Sequence, residues 1–155
     1  RMPVAIMAMG IVFNLLNGMM QAGGLFYFAP EGLYADGWAY LLKPHALLGI
    51  ILFFAGMFVN LHSDYVIRHL RRPGDTKHYL PGKGLYRDVT SANYFGELVE
   101  WTGFAILTAS PAAWVFVWWT FANLVPRADA IHRRYREEFG DEAVGKRKRI
   151  IPFLY

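Results

Sequence analysis

Long apolar stretches separated by polar segments dominate the pattern of the chain. No Lys, Arg, Asp or Glu occurs in residues 2–30, 44–63 or 101–126. Each stretch approaches or exceeds the roughly 20 apolar residues with which a helix crosses a lipid bilayer. The pattern therefore predicts an all-α integral membrane protein. Residues 1–155 would form a single membrane domain, built as a multi-pass helical bundle.

Four hydrophobic passes follow from this pattern. We place them at residues 4–28, 42–62, 92–109 and 112–125. Ser110 and Pro111 separate the third pass from the fourth, because a proline inside a helix removes one backbone hydrogen bond. The fourth pass is short for a full crossing. A polar segment, residues 64–90, joins the second pass to the third.

Basic side chains are concentrated in two segments of the chain. Six of the 16 Lys and Arg residues lie in residues 64–90, and eight follow Pro126. Because cytosolic loops are enriched in Lys and Arg, both segments and the C-terminus are predicted to be cytosolic. The membrane would be a bacterial inner membrane or the endoplasmic reticulum. This distribution favours anionic lipid or an anionic cofactor as the partner, and no nucleic acid is expected.

Several kinds of site are not predicted. The sequence has no cysteine, which excludes disulfides, iron–sulfur clusters and cysteine-bound zinc. Its five histidines do not form an H-E-x-x-H pattern, so no metal site is expected. No G-x-G-x-x-G string occurs, and a Rossmann dinucleotide site is therefore not indicated.

Polar residues follow the second pass at helical spacing. Asn60, Asp64, Arg68 and Arg71 are separated by four, four and three positions, which places them on one face of a helix. Amides and carboxylates hydrogen-bond ribose hydroxyls, and guanidinium groups match phosphate oxygens. The face therefore suits a sugar-phosphate ligand. A helix end whose side chains reach the membrane surface and form local ion pairs remains the alternative.

The third pass carries polar side chains at membrane depth. Asn93, Glu97 and Glu100 share one helical face, and Glu97 lies about one turn inside the apolar run. Because charged groups are costly in a bilayer, such residues usually face the interior of a bundle. Either a binding role or a structural pair with an arginine would explain them.

A third polar group follows the fourth pass. Arg127, His132 and Tyr135 combine guanidinium, imidazole and aromatic groups, which together suit a nicotinamide or adenine dinucleotide. A basic helix lying on anionic lipid would have the same composition, and spacing alone favours that alternative.

Five strings of this sequence resemble the C-terminal region of the steroid 5-alpha-reductase family. They are NLHSDY at residues 60–65, LRRPG at 70–74, GLY at 84–86, NYFGELVEW at 93–101 and IPF at 151–153. Their order and spacing match over nearly the whole chain. The NYFGELVEW string and the closing Pro-Phe are the most specific of them.

The resemblance implies a seven-helix membrane enzyme, of which this chain is the C-terminal part. Such an enzyme binds NADPH within the bundle and reduces the carbon–carbon double bond of a 3-oxo-4-ene steroid by hydride transfer. Its steroid-activating residues are expected upstream of this chain. Trp101 falls near the nicotinamide and the substrate, and Ile131 is the alternative to His132. The cofactor-contacting positions of the family fall on Asn60, Asp64, Arg71, Asn93, Glu97, Arg127, His132 and Tyr135.

Departures from the family pattern leave the substrate open. His78 and Tyr79 stand where the family often has Tyr followed by a basic residue, and Met9 stands where some members carry an arginine. The alternatives are a related membrane reductase of a polyprenol, an enoyl-thioester or a sterol, or an isoprenylcysteine-type methyltransferase. A membrane scaffold without catalytic activity is the non-enzyme alternative.

Overall fold

The computed structural model of the chain describes residues 3–72 and 74–155. Arg1, Met2 and Pro73 lie outside the described residues, and Pro73 belongs to the LRRPG string. The described ranges contain five α-helices: α1 Val4–Phe26, α2 Pro44–Arg68, α3 Ala92–Thr108, α4 Pro111–Phe139 and α5 Asp141–Val144. Two 3-10 helices, Gly37–Leu42 and Gly84–Arg87, lie in the connections. The prediction of an all-α chain is confirmed.

Two helices are long and apolar enough to cross a membrane by length and composition, α1 and α2. They overlap the first two predicted passes, residues 4–28 and 42–62, over most of their length. Helix α3, with 17 residues, coincides with the third predicted pass. The four-pass arrangement and the seven-helix bundle stay predictions.

Helix α4 extends well beyond the fourth predicted pass, which ends at residue 125. Helix α4 continues through Pro126 to Phe139, so its 29 residues form one element about 44 Å long. The apolar pass and the basic segment that follows it are therefore two halves of a single helix. The predicted break at Pro111 is confirmed, because Ala109 is left-handed with φ of 48° and Pro111 occupies the first turn of α4.

Helices α2 and α3 approach each other closely along paired glycines. Gly49 and Gly56 on α2 face Gly103 and Gly96 on α3, with a seven-residue spacing on both helices. A Cβ added to Gly56 would lie 2.7 Å from the carbonyl oxygen of Gly96, and one added to Gly103 would lie 2.8 Å from that of Gly49. No side chain fits at those distances, so the two backbones pack directly against each other.

The packing of α2 on α3 aligns polar groups at one end of the bundle. The Nδ2 of Asn60 donates to the backbone oxygen of Asn93 at 3.1 Å. We call this end, formed by the C-terminus of α2, the N-terminus of α3 and residues 126–155, the basic end. The loop at the opposite end caps α3, since the hydroxyls of Tyr34 and Tyr40 donate to the backbone oxygens of Thr108 and Leu107.

Helix α1 packs along α4. Phe13 stacks on Trp119 with ring centroids 5.8 Å apart, and Gly24 lies against Ala112 and Ser110. Most other large side chains of α1 are exposed. In a bilayer such a surface contacts lipid or further helices.

The C-terminal segment is held against the connection before α3. The backbone of Lys148 forms an isolated parallel bridge with Val89, and the Thr90 amide donates to the Lys148 oxygen at 2.9 Å. The Nε of Arg149 donates to Asp129 of α4 at 2.6 Å. Residues 146–155 therefore connect the loop before α3 with the second half of α4.

We expect Gly56→Ala to destabilise the full-length protein by about 1–3 kcal/mol, because the added methyl group meets the backbone of α3. Gly18→Ala is the matched control, since a Cβ at Gly18 has no atom within 4 Å. Both changes raise helix propensity equally. Thermal unfolding in detergent measures the effect, and equal melting temperatures for the two variants would contradict the packing of α2 on α3.

Asp129→Asn should lower stability at neutral pH but not in acid. The hydrogen bond from Arg149 lowers the pKa of Asp129. A lowered folded-state pKa stabilises the protein above the unfolded-state pKa, and that contribution is lost as the pH falls through the folded-state value, below about pH 4. Melting temperature as a function of pH is the measurement. Glu142→Gln is the control, because Glu142 is exposed on α5 and, within residues 3–72 and 74–155, forms no ion pair.

Candidate functional site

One face of α4 lines two cavities in succession. The inner cavity, about 420 Å³, lies beside the apolar half of the helix, and the outer cavity, about 510 Å³, lies at the basic end. The lining residues of α4 recur every three or four positions: Thr120, Asn123, Leu124 and Arg127 in the inner cavity, then Ile131, Arg134, Tyr135 and Glu138 in the outer one. Because α4 is unbroken, the two cavities share one wall about 27 Å long.

The outer cavity is rich in guanidinium groups. Arg68 and Arg71 come from the end of α2 and the residues after it, and Arg134 comes from α4. Glu138 is the acidic residue that lines this cavity, and it lies 3.7 Å from Arg134. Three cations facing one carboxylate leave a net positive site, which suits phosphate groups.

A turn at residues 75–79 forms the rim of the outer cavity. The backbone amide of Lys77 and the hydroxyl of Tyr79 donate to the Asp75 carboxylate at 2.9 and 2.7 Å, and these bonds lower the pKa of Asp75. Nδ1 of His78 lies 2.6 Å from Glu138 on α4. The turn is thereby fixed to itself and to α4.

The inner cavity combines apolar walls with two opposite charges. Glu97 of α3 and Arg127 of α4 both line it, and the rest of its wall includes Met9 and Phe13 of α1. The charges of Glu100, Arg127 and Asp64 all act on Glu97. A carboxylate and a guanidinium in such surroundings offer directional polar contacts where water is scarce.

Tyr86 connects the polar groups at the ends of α2 and α3. Its hydroxyl donates to the Oδ1 of Asn93 at 3.3 Å, and its ring is almost completely buried. Burial raises the pKa of Tyr86, and the neighbouring Asp64 and Tyr135 raise it further. Tyr86 therefore stays protonated and lies among three of the residues predicted to bind the cofactor, Asp64, Asn93 and Tyr135.

Comparisons with known proteins decide the family. The family model described as 3-oxo-5-alpha-steroid 4-dehydrogenase matches residues 1–155. The chain belongs to this family. It is 42% identical to 3-oxo-5-alpha-steroid 4-dehydrogenase 1 of Macaca fascicularis over 99% of this chain and 56% of the relative. Identity to the Homo sapiens protein of the same name is also 42%, covering 99% and 57%. Steroid 5-alpha-reductase DET2 of Gossypium hirsutum is 38% identical, covering 99% and 58%.

The chain spans a little more than half the length of these relatives. The resemblance to steroid 5-alpha-reductases is thus confirmed, while the roles of individual residues stay predictions.

Seven of the predicted cofactor residues lie in one region of the structure. Arg71, Glu97, Arg127 and Tyr135 line the two cavities, and Asn60, Asp64 and Asn93 lie beside them through the contacts described above. The expected single helical face from Asn60 to Arg71 needs one correction. Helix α2 ends at Arg68, so Arg71 reaches the outer cavity from the chain beyond the helix.

His132 lies on the other side of α4. It is 7% exposed, its Nδ1 is 3.3 Å from the Thr90 hydroxyl, and burial lowers its pKa. Ile131, the alternative that the resemblance left open, lines the outer cavity instead. The binding role of His132 stays a prediction, and its observed contact is with the loop that the C-terminal segment covers.

Trp101 lies one layer behind the inner cavity. Its ring packs edge-on against Phe116 of α4, with centroids 4.5 Å apart, and Phe116 lines the cavity. Its placement next to the substrate stays a prediction.

Sequence reasoning missed the contributions of Tyr86, Arg134 and Asn123 to this region. Asn123 and Arg134 belong to the periodic set on α4. Their spacing carried the signal, because Asn123 lies four positions before Arg127 and Arg134 lies three positions after Ile131. The hydrophobic pattern divides residues 112–135 into an apolar pass and a separate basic segment, which concealed this common spacing. Tyr86 carried no signal except its place in the GLY string, because its burial depends on α2 and α3 together.

Proposed function

We propose that this chain is the NADPH-binding part of a membrane reductase that reduces the 4,5 double bond of a 3-oxo-4-ene steroid. One observation carries the proposal. A single face of α4 leads from a cavity lined by arginines at the basic end to a cavity among apolar helices that holds Glu97 and Arg127. Membership of the family supports the reaction. The chain spans a little more than half the length of the relatives that it matches, and the complete activity is proposed for the full-length protein.

The residues present fit NADPH. Its phosphates require several cations in one place, and Arg68, Arg71 and Arg134 provide them. The phosphate-bearing part of NADPH is strongly anionic, whereas its nicotinamide end is not. The outer cavity holds the arginines and the inner cavity is mainly apolar, so each part of the cofactor matches one of the two cavities along α4. When bound, NADPH supplies the hydride for the reduction.

Arg71 is the arginine best suited to bind phosphate. Among the residues that the structure describes, Arg68 lies 3.8 Å from Asp64 and Arg134 lies near Glu138, whereas no carboxylate lies within ion-pair distance of Arg71. A guanidinium without a protein partner loses no ion pair when it binds an anion. We therefore assign the largest single contribution to phosphate binding to Arg71.

Glu97 and Asn93 are suited to orient the reacting end of the cofactor. Both lie on α3, where the glycine contacts with α2 fix the helix, and Tyr86 holds the Asn93 side chain. A nicotinamide carboxamide has one donor group and one acceptor, which a carboxylate and a guanidinium satisfy together. In the proposed membrane setting, lipid and further helices of the full-length protein would keep water from this cavity and so protect the hydride transfer.

A lipophilic substrate agrees with the position of the inner cavity. Side chains of α1, including Met9 and Phe13, form one of its walls, and the outer surface of α1 is largely exposed and apolar. With the basic end facing the cytosol, the cofactor would enter from water and the steroid from the bilayer. The residues that activate the 3-oxo group belong to the upstream part in this proposal.

Arg71→Ala in the full-length protein should weaken NADPH binding by about 10- to 100-fold, which corresponds to the loss of about 1.5–3 kcal/mol from hydrogen bonds to a charged group. Arg133→Ala is the control, because Arg133 pairs with Asp129 and lines neither cavity. Calorimetry with NADPH and NADH measures both variants. Unchanged NADPH affinity in Arg71→Ala, or equal affinities of the wild type for the two nucleotides, would refute the assignment.

Glu97→Gln should reduce turnover about 10- to 100-fold at saturating NADPH, since Gln keeps the size of the side chain but loses the charge that holds the carboxamide. Glu137→Gln is the control, because Glu137 is exposed on the second half of α4 and lines neither the inner nor the outer cavity. Oxidation of NADPH with a 3-oxo-4-ene steroid is the assay. Wild-type turnover in Glu97→Gln would show that this residue does not orient the cofactor.

A further inference from the structure

The chain ends in a compact turn that we call the C-terminal hook, residues 146–155. The backbone amides of Ile150 and Ile151 donate to the oxygen of Tyr155 at 2.8 and 2.7 Å, and Phe153 has a φ of 66°. Ile150 is fully buried in a cluster with Leu98 of α3 and residues of α4. The hook is therefore fixed to the membrane helices and does not extend into solvent.

The hook lies at the level of the apolar part of the bundle. Ile151 lines a groove of about 260 Å³ together with residues of α2, α3 and α4, among them Leu98 and Phe121. The hydroxyl of Thr102, the polar group in this groove, donates to the backbone oxygen of Leu98 within α3. The groove is thus apolar along its length, and by helical phase it lies on the side of α3 opposite Glu97.

The tip of the hook exposes two large apolar side chains in succession. Phe153 is 81% exposed and Leu154 is 77% exposed, although the backbone around them is fixed. Adjacent exposed apolar side chains on a fixed turn indicate a contact with an apolar phase. Because Ile151 precedes them at the edge of a groove between membrane helices, that phase is the bilayer.

A basic cleft of about 530 Å³ adjoins the tip, and Phe153 forms part of its wall. Its charged lining consists of four cations and one carboxylate: Arg87, Lys146, Arg147, Lys148 and Asp88. Arg147 donates to the backbone oxygen of Pro81. In residues 3–72 and 74–155, no carboxylate lies within ion-pair distance of the other three cations.

We propose that the C-terminal hook is an interfacial anchor that binds anionic phospholipid of the cytosolic leaflet. Phe153 and Leu154 enter the acyl-chain boundary, and the cleft formed by Arg87, Lys146 and Lys148 binds the headgroup. A soluble phosphate compound would use the cations but leave the two apolar side chains in water, whereas a phospholipid satisfies both. The inference needs the membrane topology proposed above and is independent of the cofactor.

A labelled full-length protein tests the insertion of the tip. Leu154→Cys, in a background without other cysteines, would carry an environment-sensitive NBD fluorophore in phosphatidylcholine vesicles containing phosphatidylglycerol. We expect blue-shifted emission, and stronger quenching by nitroxide-labelled phosphatidylglycerol than by nitroxide-labelled phosphatidylcholine at equal mole fraction. Glu142→Cys on exposed α5 is the control and should report water. Emission from Leu154→Cys typical of water, or equal quenching by the two lipids, would overturn the proposal.

Charge removal tests the headgroup site. Arg87→Ala, Lys146→Ala and Lys148→Ala combined should lower the retention of phosphatidylglycerol relative to phosphatidylcholine by about tenfold or more, measured on lipids bound to the purified protein. Lys43→Ala is the control, since Lys43 pairs with Asp36 at the opposite end of the bundle. NADPH affinity should not change, which separates this proposal from the function proposed above. Unchanged lipid preference in the triple variant would refute the headgroup site. If that variant does not fold, the quenching measurement on the labelled protein is the deciding test.

Discussion

Direct backbone contact between α2 and α3 is the constraint on which the rest of the structure depends. Four glycines permit it, and an added Cβ at Gly56 or Gly96 would collide with the facing helix. The contact fixes the axial position of α3, so that the Asn60 side chain donates to the backbone oxygen of Asn93. Without a strong hydrophobic force between helices in lipid, such close van der Waals packing is a principal source of association.

The second determinant is the continuity of α4. Because Pro126 does not end the helix, residues on its apolar half and its basic half keep one angular phase. The arginines of the outer cavity and the polar groups of the inner cavity therefore line the same wall. The proposed cofactor site thus depends on an intact helix as much as on any individual side chain.

The C-terminal hook has two faces with different contacts. Toward the protein it covers Thr90 and the buried His132, and it pairs Arg149 with Asp129. Toward the outside it presents basic and apolar side chains together. A segment that both closes the fold and contacts lipid would make the stability of the basic end sensitive to the membrane around it.

The sequence by itself determined the helical class, the break at Pro111 and the family, and it indicated seven residues that the structure brings near the two cavities, because apolar periodicity and short motifs are local properties of a chain. It did not determine where α4 ends, since a proline signal competes with packing that only the folded bundle supplies. Tertiary structure alone placed Tyr86 beside Asn93, turned His132 toward Thr90 and brought residue 151 to the membrane helices. Each of these contacts joins residues from different segments, and sequence spacing cannot specify them.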